Sequence, residues 1–262
     1  TFKSFLLLKD EKIKKVFSTG GYMSVPVILA AKLLGIDIFL IEPNQVLGRA
    51  NKYFLSFCKK IFCYSDKIQN FPGSFKKKVV IINPLVKEDI YKLSLLPKIK
   101  DIFTLLIVGG SQGATIFDNN LKNSIISISK KTTLKIIHQT NENNISNLSN
   151  FYSKHNIDNK IFSFDKNFHT IIHQSDLCIT RAGASTLAEL SVLKIPFIAV
   201  PLPTSKDNHQ LENANFYKNN DCCWIIDQNF FEEKIEQILE EILSEKTDYQ
   251  KKKENLKKIN YQ

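Results

Sequence analysis

Arg181-Ala182-Gly183-Ala184-Ser185-Thr186-Leu187-Ala188-Glu189 sets one cation and one carboxylate among small residues, directly after the apolar run Leu177-Cys178-Ile179-Thr180. A strand that feeds such a turn into a helix leaves the first backbone N–H groups of the helix unpaired and aimed at one point. The helix dipole adds positive charge there. Phosphate suits that point. Glu189 falls about one and a half turns into the helix, beyond capping reach and able to accept from a sugar hydroxyl. Small residues also allow helix and strand to pack closely, so the turn by itself leaves both readings open.

Two further segments carry the same chemistry. Gly109-Gly110-Ser111-Gln112-Gly113 follows the strand-like run Phe103 to Val108 and precedes a helical pattern. It is neither a P-loop, since no Gly-Lys-Ser/Thr follows, nor a strict G-x-G-x-x-G. Its weight comes from the first turn, expected at the same edge of the same sheet, because open parallel sheets bind ligands beyond the carboxyl ends of their strands. Lys206 to Ala214 follows the turn Pro201-Leu202-Pro203 and clusters Asp207, His209 and Gln210 at a helix start. Aspartate there favours the dipole, and glutamine both donates to and accepts from a polyol. A capped surface helix explains the same residues.

Other chemistries find less support. The five cysteines, Cys58, Cys63, Cys178, Cys222 and Cys223, are odd in number and lack metal-ligand spacing, so they read as reduced thiols in buried strands. His138, His155, His169, His173 and His209 are scattered, and only His209 adjoins a candidate site. There is no Asp-x-Asp sequence. A formal charge of +10 favours anionic partners. With no zinc-finger spacing, recognition helix or RNP-like pattern, nucleic acid is not among those expected.

The elements that must position these residues follow from punctuation. At 262 residues, 43% hydrophobic and 24% charged, the chain has the length for two ordinary globular domains, and no apolar run reaches the roughly 20 residues of a membrane span. Short apolar runs alternate with helix-length segments throughout. Val16 to Thr19 runs into Gly20-Gly21-Tyr22, Val25 to Leu34 reads as a helix closed by Gly35, and Ile36 to Ile41 as the next strand. From Phe103 the alternation resumes, with one helix expected through Ser129, and it continues to the helix Phe230 to Leu243. This predicts an α/β protein of parallel sheets covered by helices on both faces. The irregular stretch from Lys87 to Lys100, after the Asn83-Pro84 break, marks the junction. The expected parts are 1–86, 87–243 and a Lys/Glu/Asn-rich tail, 244–262, read as a solvated helix or frayed end.

Taken together, the motifs resemble a known family. Thr19-Gly20-Gly21-Tyr22-Met23-Ser24-Val25-Pro26, Glu42-Pro43-Asn44-Gln45-Val46-Leu47-Gly48, Asn83-Pro84, Gly109 to Ala114, Arg181 to Glu189 and Asp207 to Gln210 occur in the order and near the spacing of the MurG family of peptidoglycan glycosyltransferases, glycosyltransferase family 28. The resemblance runs from about Lys12 to Gln228. It implies the GT-B architecture of two Rossmann-like domains, and inverting transfer of GlcNAc from UDP-GlcNAc to the C4 hydroxyl of MurNAc in lipid I, forming lipid II. It implies no metal or other cofactor. By the same resemblance Ser111, Gln112 and Gly113 face the donor diphosphate, and Ala184, Ser185, Thr186 and Leu187 contact the nucleotide. Glu189 accepts the ribose hydroxyls, the Asp165 backbone reads the uracil edge, Gln210 holds hydroxyls of the GlcNAc ring, His209 takes the preceding donor-site position where the family has an often variable glutamine, and Asn44 reaches the donor sugar. Gly20, Gly21 and Tyr22 look toward the acceptor diphosphate.

Departures accompany the match. The family's opening βα unit, whose glycine-rich loop ends in the histidine usually considered as base, has no counterpart. The catalytic base is therefore unassigned, the amino-terminal domain is expected to be incomplete with an apolar sheet edge exposed, and the chain is not expected to catalyse transfer unaided. The lack of an initiator methionine suggests a fragment. Val86 stands where the family has an arginine, and Lys87 is expected to point elsewhere. Lys52 to Lys60 and Phe75 to Lys78 mix bulky apolar side chains with lysines. They read either as an amphipathic core helix with solvated lysines or as a peripheral surface for anionic lipid, on the cytoplasmic face of the inner membrane if the lipid-borne acceptor decides. Cell-wall synthesis proteins are further expected partners. Two alternatives stay open: a non-catalytic UDP-sugar-binding module or half of a split transferase, and a related transferase using diacylglycerol.

Overall fold

The computed structural model describes residues 1–97, 102–110 and 114–259, apart from the Ala114 side chain. Contacts divide the chain between Pro84 and Leu85 into two units.

The first unit is built on four parallel strands in sequential order: β1 (Lys15–Ser18), β2 (Asp37–Glu42), β3 (Lys60–Cys63) and β4 (Val79–Ile81). Helices α1 (Phe2–Asp10), α2 (Val25–Leu33) and α3 (Arg49–Phe54) accompany them. Alternate strand residues Val16, Ile38, Leu40, Ile61 and Cys63 are buried and share a core with Leu8, Ile28 and Phe54 of these helices. The other strand face carries a ladder of rings: Phe17 stacks on Phe39 at 5.0 Å and Phe39 on Phe62 at 6.2 Å. Phe17 is 58% exposed at the outer strand.

The second unit holds a six-stranded parallel sheet of order β10-β9-β8-β5-β6-β7. Its strands are β5 (Phe103–Val108), β6 (Leu134–Gln139), β7 (Asp158–Phe162), β8 (Leu177–Thr180), β9 (Phe197–Ala199) and β10 (Cys223–Ile225). Both faces are covered, which is why these strands read as continuous apolar runs rather than alternating ones. In β5, Leu105 and Ile107 join one core while Leu106 and Val108 join the other. The first core is filled by α5 (Ala114–Asn120), α6 (Lys122–Lys131), α7 (Ile145–Lys154) and α11 (Phe231–Ser244), and the second by α4 (Glu88–Ser94), α8 (Phe168–His173), α9 (Ala184–Val192) and α10 (His209–Asn219).

Three expectations are corrected. The helix expected through Ser129 is two helices, broken at the buried Leu121 after Asp118-Asn119-Asn120, whose short polar side chains compete with the helical backbone. The irregular stretch after Lys87 contains α4, whose Ile90 is fully buried. The tail is not frayed: α12 (Lys246–Lys258) buries Tyr249 in one core and Leu256 in the other, and the Tyr249 hydroxyl donates to Asp176 O at 2.9 Å. Its Lys252 is buried, lies 4.9 Å from the Trp224 ring centre and donates to Asp221 at 2.6 Å.

The ring ladder is an apolar surface on an outer strand, the kind of feature that associates. Replacing Phe17 with Thr is expected to lower concentration-dependent self-association of the 262-residue chain in sedimentation velocity, with its melting temperature nearly unchanged. Equal association of both proteins would count against the ladder as the contact.

Candidate functional site

The strand order places the chain reversal of the second sheet between β5 and β8: from β5 the chain moves outward through β6 and β7, then returns to β8 and moves the other way. At that reversal the connections leave toward opposite faces and a crevice opens beyond the strand ends. β5 and β8 are direct partners, with Val108 in register with Thr180. The two glycine-bearing turns thus leave the same rim from adjacent strands, roughly 4.8 Å apart.

Each turn is open. Gly110 has φ +66°, a left-handed conformation suited to glycine, and a side-chain carbon built there or at Gly183 would meet nothing within 4 Å. Gly183 is the N-cap of α9 and supplies no side chain to cap it, so Ala184, Ser185 and Thr186 present their amides without a capping group, while Leu187 N donates to Gly183 O at 3.0 Å. Ser111, Gln112 and Gly113 lie outside the described residues.

Gln210, in the first turn of α10, ties this rim together. Its Oε1 accepts from Ala182 N at 3.2 Å and Leu202 N at 3.0 Å, joining the turn after β8 to the loop after β9. The side-chain oxygen expected to hold a sugar hydroxyl is thus engaged with protein amides. Asn213, one turn on, donates to Ala182 O at 3.2 Å. His209 Nδ1 lies 2.6 Å from Lys206 O and steadies the approach to α10, where Asp207 and Asn208 both take positive φ.

Glu189 is half-buried in the second turn of α9, and burial raises its carboxyl pKa while the charge of Lys87 partly offsets that rise. Val86 packs against the second core. Asp165 follows β7, with β6 between β7 and β5, so it sits away from the two turns. Its carboxylate accepts from Asn167 N at 2.8 Å and Lys160 at 3.1 Å, which lowers its pKa.

In the first unit the candidates meet around a carboxylate that the sequence reading passed over. Glu42, 2% exposed, accepts from Asn44 N at 3.2 Å and Asn44 Nδ2 at 3.0 Å through one oxygen. Its other oxygen accepts from Gly48 N at 2.8 Å and Asn51 Nδ2 at 3.0 Å. Asn44 is therefore held by Glu42, and a side chain on Gly20 would come within 3.0 Å of Asn51 Oδ1. Gly20 and Gly21 have φ +80° and +81°, and Tyr22 beside them is 89% exposed. Glycine spacing points to that loop. Nothing in the local sequence marks Glu42 and Asn51 as its support.

A second missed network lies behind α5. Asp118 accepts from Thr140 Oγ1 at 2.6 Å and Asn144 at 2.9 Å through one oxygen, and His138 Nε2 lies 3.1 Å from the other. His138 Nδ1 lies 3.1 Å from the Tyr152 hydroxyl. Burial alone would raise the Asp118 pKa, but its contacts with His138, Thr140 and Asn144 outweigh burial and lower it. Burial dominates at His138 and lowers its pKa. Among the described residues no three His, Cys, Asp or Glu side chains converge to hold a metal ion. All five cysteines are buried, and burial raises the pKa of each; Cys63 and Cys222 are pushed up to about 12, which leaves them protonated and poor nucleophiles.

Comparison with known proteins agrees with this geometry. Residues 104–261 match the glycosyltransferase family 28 C-terminal domain and residues 1–63 the N-terminal domain of the same family. Over 262 residues the chain is 47% identical to the UDP-N-acetylglucosamine--N-acetylmuramyl-(pentapeptide) pyrophosphoryl-undecaprenol N-acetylglucosamine transferase of Pelagibacter ubique, covering 100% of this chain and 74% of that protein. The protein of the same name from Rickettsia canadensis is 37% identical over 232 residues, 87% of this chain and 66% of the relative. The crystal structure of Acinetobacter baumannii MurG superposes with a TM-score of 0.78 at 26% identity, covering 98% of this chain and 72% of that one. A Neisseria meningitidis UDP-GlcNAc 2-epimerase bound to UDP-GlcNAc shares the fold at TM-score 0.65 and 14% identity, over 95% of this chain and 73% of that one.

The pKa shifts fix a sign. Because His138 binds its proton less tightly folded than unfolded, the unfolded chain holds more protons below about pH 6.5, and stability falls as pH drops through that value. Asp118 adds a second loss only at lower pH, below about 3.9. His138→Gln is expected to cost about 1–3 kcal/mol at pH 7.5 yet to flatten the fall in melting temperature between pH 7 and 5. A variant that keeps the wild-type slope would count against this assignment.

Proposed function

The chain belongs to glycosyltransferase family 28, and from that premise we propose that it transfers N-acetylglucosamine from UDP-N-acetylglucosamine to the C4 hydroxyl of the lipid-linked N-acetylmuramyl acceptor, lipid I. The chain spans 74% of the Pelagibacter ubique relative. The observation that carries the reading is the departure of two glycine turns from the adjacent strands β5 and β8 at the sheet's reversal point, with open space at Gly110 and Gly183. The acceptor hydroxyl attacks C1 of the sugar from the face opposite the nucleotide, inverting that carbon, and UDP departs carrying the developing negative charge. Backbone amides and the dipole of α9 stabilise that charge without a resident metal. No residue of this chain is assigned as base.

Within the donor pocket, Glu189 accepts the ribose hydroxyls, Ala184 to Leu187 surround the nucleotide phosphates and the loop at Asp165 meets the base. Gln210 acts mainly by pinning Ala182 and Leu202, and its amide nitrogen serves the sugar. Asn44, held by Glu42, serves the donor sugar, and the Gly20-Gly21-Tyr22 loop serves the acceptor diphosphate.

The lipid-borne acceptor argues for peripheral attachment at the cytoplasmic leaflet, and among the described residues no helix is long and apolar enough to cross a membrane. Lys52, Tyr53, Lys76 and Lys77 are exposed on the first unit. Lys78 is not available for lipid: its ammonium donates to Leu55 O at 2.7 Å and Cys58 O at 2.6 Å, near the end of α3. At about 1 kcal/mol per lysine near an anionic surface, changing Lys52, Lys76 and Lys77 to Ser is expected to weaken binding to vesicles containing phosphatidylglycerol by more than tenfold. Phosphatidylcholine vesicles should bind neither protein, and an unaffected triple variant would remove this surface from the proposal.

Calorimetric titration of the chain with UDP-GlcNAc tests the donor site, and product formation with lipid I against diacylglycerol tests the acceptor. Glu189→Ala is expected to weaken UDP-GlcNAc by about 1–3 kcal/mol. Since the Glu189 pKa is raised, wild-type affinity should begin to fall on acidification before ordinary glutamates protonate. An affinity indifferent to both changes would contradict the ribose assignment.

A further inference from the structure

Arg181 opens the turn after β8 and has no role in the donor contacts described above. Its side chain is folded inward, 8% exposed, against the end of the sheet. Nη1 donates to Val200 O at 3.1 Å and reaches Pro201 O at 3.5 Å, while Nη2 donates to Gln228 Oε1 at 2.6 Å. The guanidinium carbon lies 5.5 Å from the ring centre of Phe117, in α5, the helix that follows the other glycine turn. Nε is buried without a hydrogen-bond partner. Among the described residues no carboxylate pairs with this cation; every acceptor it has is a neutral carbonyl.

Neutral carbonyls satisfy donors but do not balance charge. A buried ion is ordinarily paired, because removal from water is costly and carbonyls recover only part of that cost. Burial lowers the pKa of Arg181, although guanidinium stays protonated at working pH. A clamp between β9, Gln228 and α5 needs only N–H donors, which a neutral amide also supplies. The net charge is the part left without a local use. The Arg181 backbone directly follows Thr180, which is in register with Val108, so the residue belongs to the rim from which both glycine turns leave the sheet. Charges separated there by protein rather than water interact strongly.

We propose that Arg181 is the buried counter-charge of the donor diphosphate, a positioning residue that favours bound UDP through its field and holds the rim segments in place without touching the ligand. The proposal rests on the UDP-sugar reading of the same pocket. It separates charge from hydrogen bonding: a diphosphate should feel the loss of charge, and a neutral nucleoside should not.

The test compares UDP with uridine by ligand-observed NMR titration of wild type, Arg181→Gln, which keeps donors and loses charge, and Arg181→Lys, which keeps charge and loses the planar fork. Arg181→Gln is expected to lower UDP affinity by about tenfold or more while uridine changes by less than about threefold. Arg181→Lys should keep the wild-type ratio of UDP to uridine affinity even if both weaken. Equal losses for the two ligands in Arg181→Gln, no loss for either, or a collapsed ratio in Arg181→Lys would each overturn the proposal. Should Arg181→Gln fail to fold in thermal melts, the Arg181→Lys ratio decides alone. A wild-type chain that binds neither ligand removes the UDP-sugar reading itself, and this proposal with it.

Discussion

The pairing of β5 with β8 is the constraint on which the second unit turns. Four residue pairs, ending with Val108 beside Thr180, lock together two strands that are far apart in sequence. Both are buried on both faces, so a slip of one residue would exchange the two sets of apolar side chains between cores that α5 and α9 already fill. Register thus decides that Gly109-Gly110 and Arg181-Ala182-Gly183 leave the sheet at the same height. A phosphate site made of main-chain amides has no side chain to adjust for an error in that height. Its accuracy is inherited from strand packing.

The first unit solves its positioning problem with a buried charge. Glu42, at the end of β2, gathers N–H groups from Asn44, Gly48 and Asn51 and so shapes the loop that leads into α3. Carboxylate acceptors make stronger bonds than neutral ones, and four N–H groups converge on this one. Gly48 is required at close range, since a side chain there would stand 3.0 Å from Glu42 Oε2. The two units therefore use different means for one purpose. One relies on strand register with a glutamine strut, the other on a carboxylate hub.

Legibility in the sequence followed how local the cause was. Leu177–Thr180 has the expected bounds because an apolar run and the turn residues after it mark the strand locally. The two glycine turns were visible for the same reason. α12 was read as solvent-facing because its Lys- and Glu-rich surface dominates composition, whereas its burial depends on Tyr249 and Leu256 meeting two cores assembled from distant segments. Asn51, Asp118 and His138 lie outside any quoted motif, and Glu42 opens one without its role being marked there; the partners of all four are set by tertiary folding. Gln210 was legible as a site residue, but its engagement with Ala182 and Leu202 depends on how α10 docks. The family resemblance supplied roles for residues, and the local chemistry supplied the reason that those roles suit them.

Charge placement around the second site follows one logic. Glu189, on the helix that offers its amides to phosphate, is a carboxylate close to where an anion would bind, and its burial already disfavours ionisation. An ionised group there would repel a diphosphate. Two features work against that repulsion: Lys87 acts on the carboxylate from the segment leading into α4, and the α9 dipole presents positive charge at the first turn while Glu189 lies in the second. Six residues separate Gly183 from Glu189, about one and a half turns of helix or roughly 9 Å between the open helix end and the carboxylate. In the proposed assignment the phosphates take the first position and the ribose hydroxyls the second.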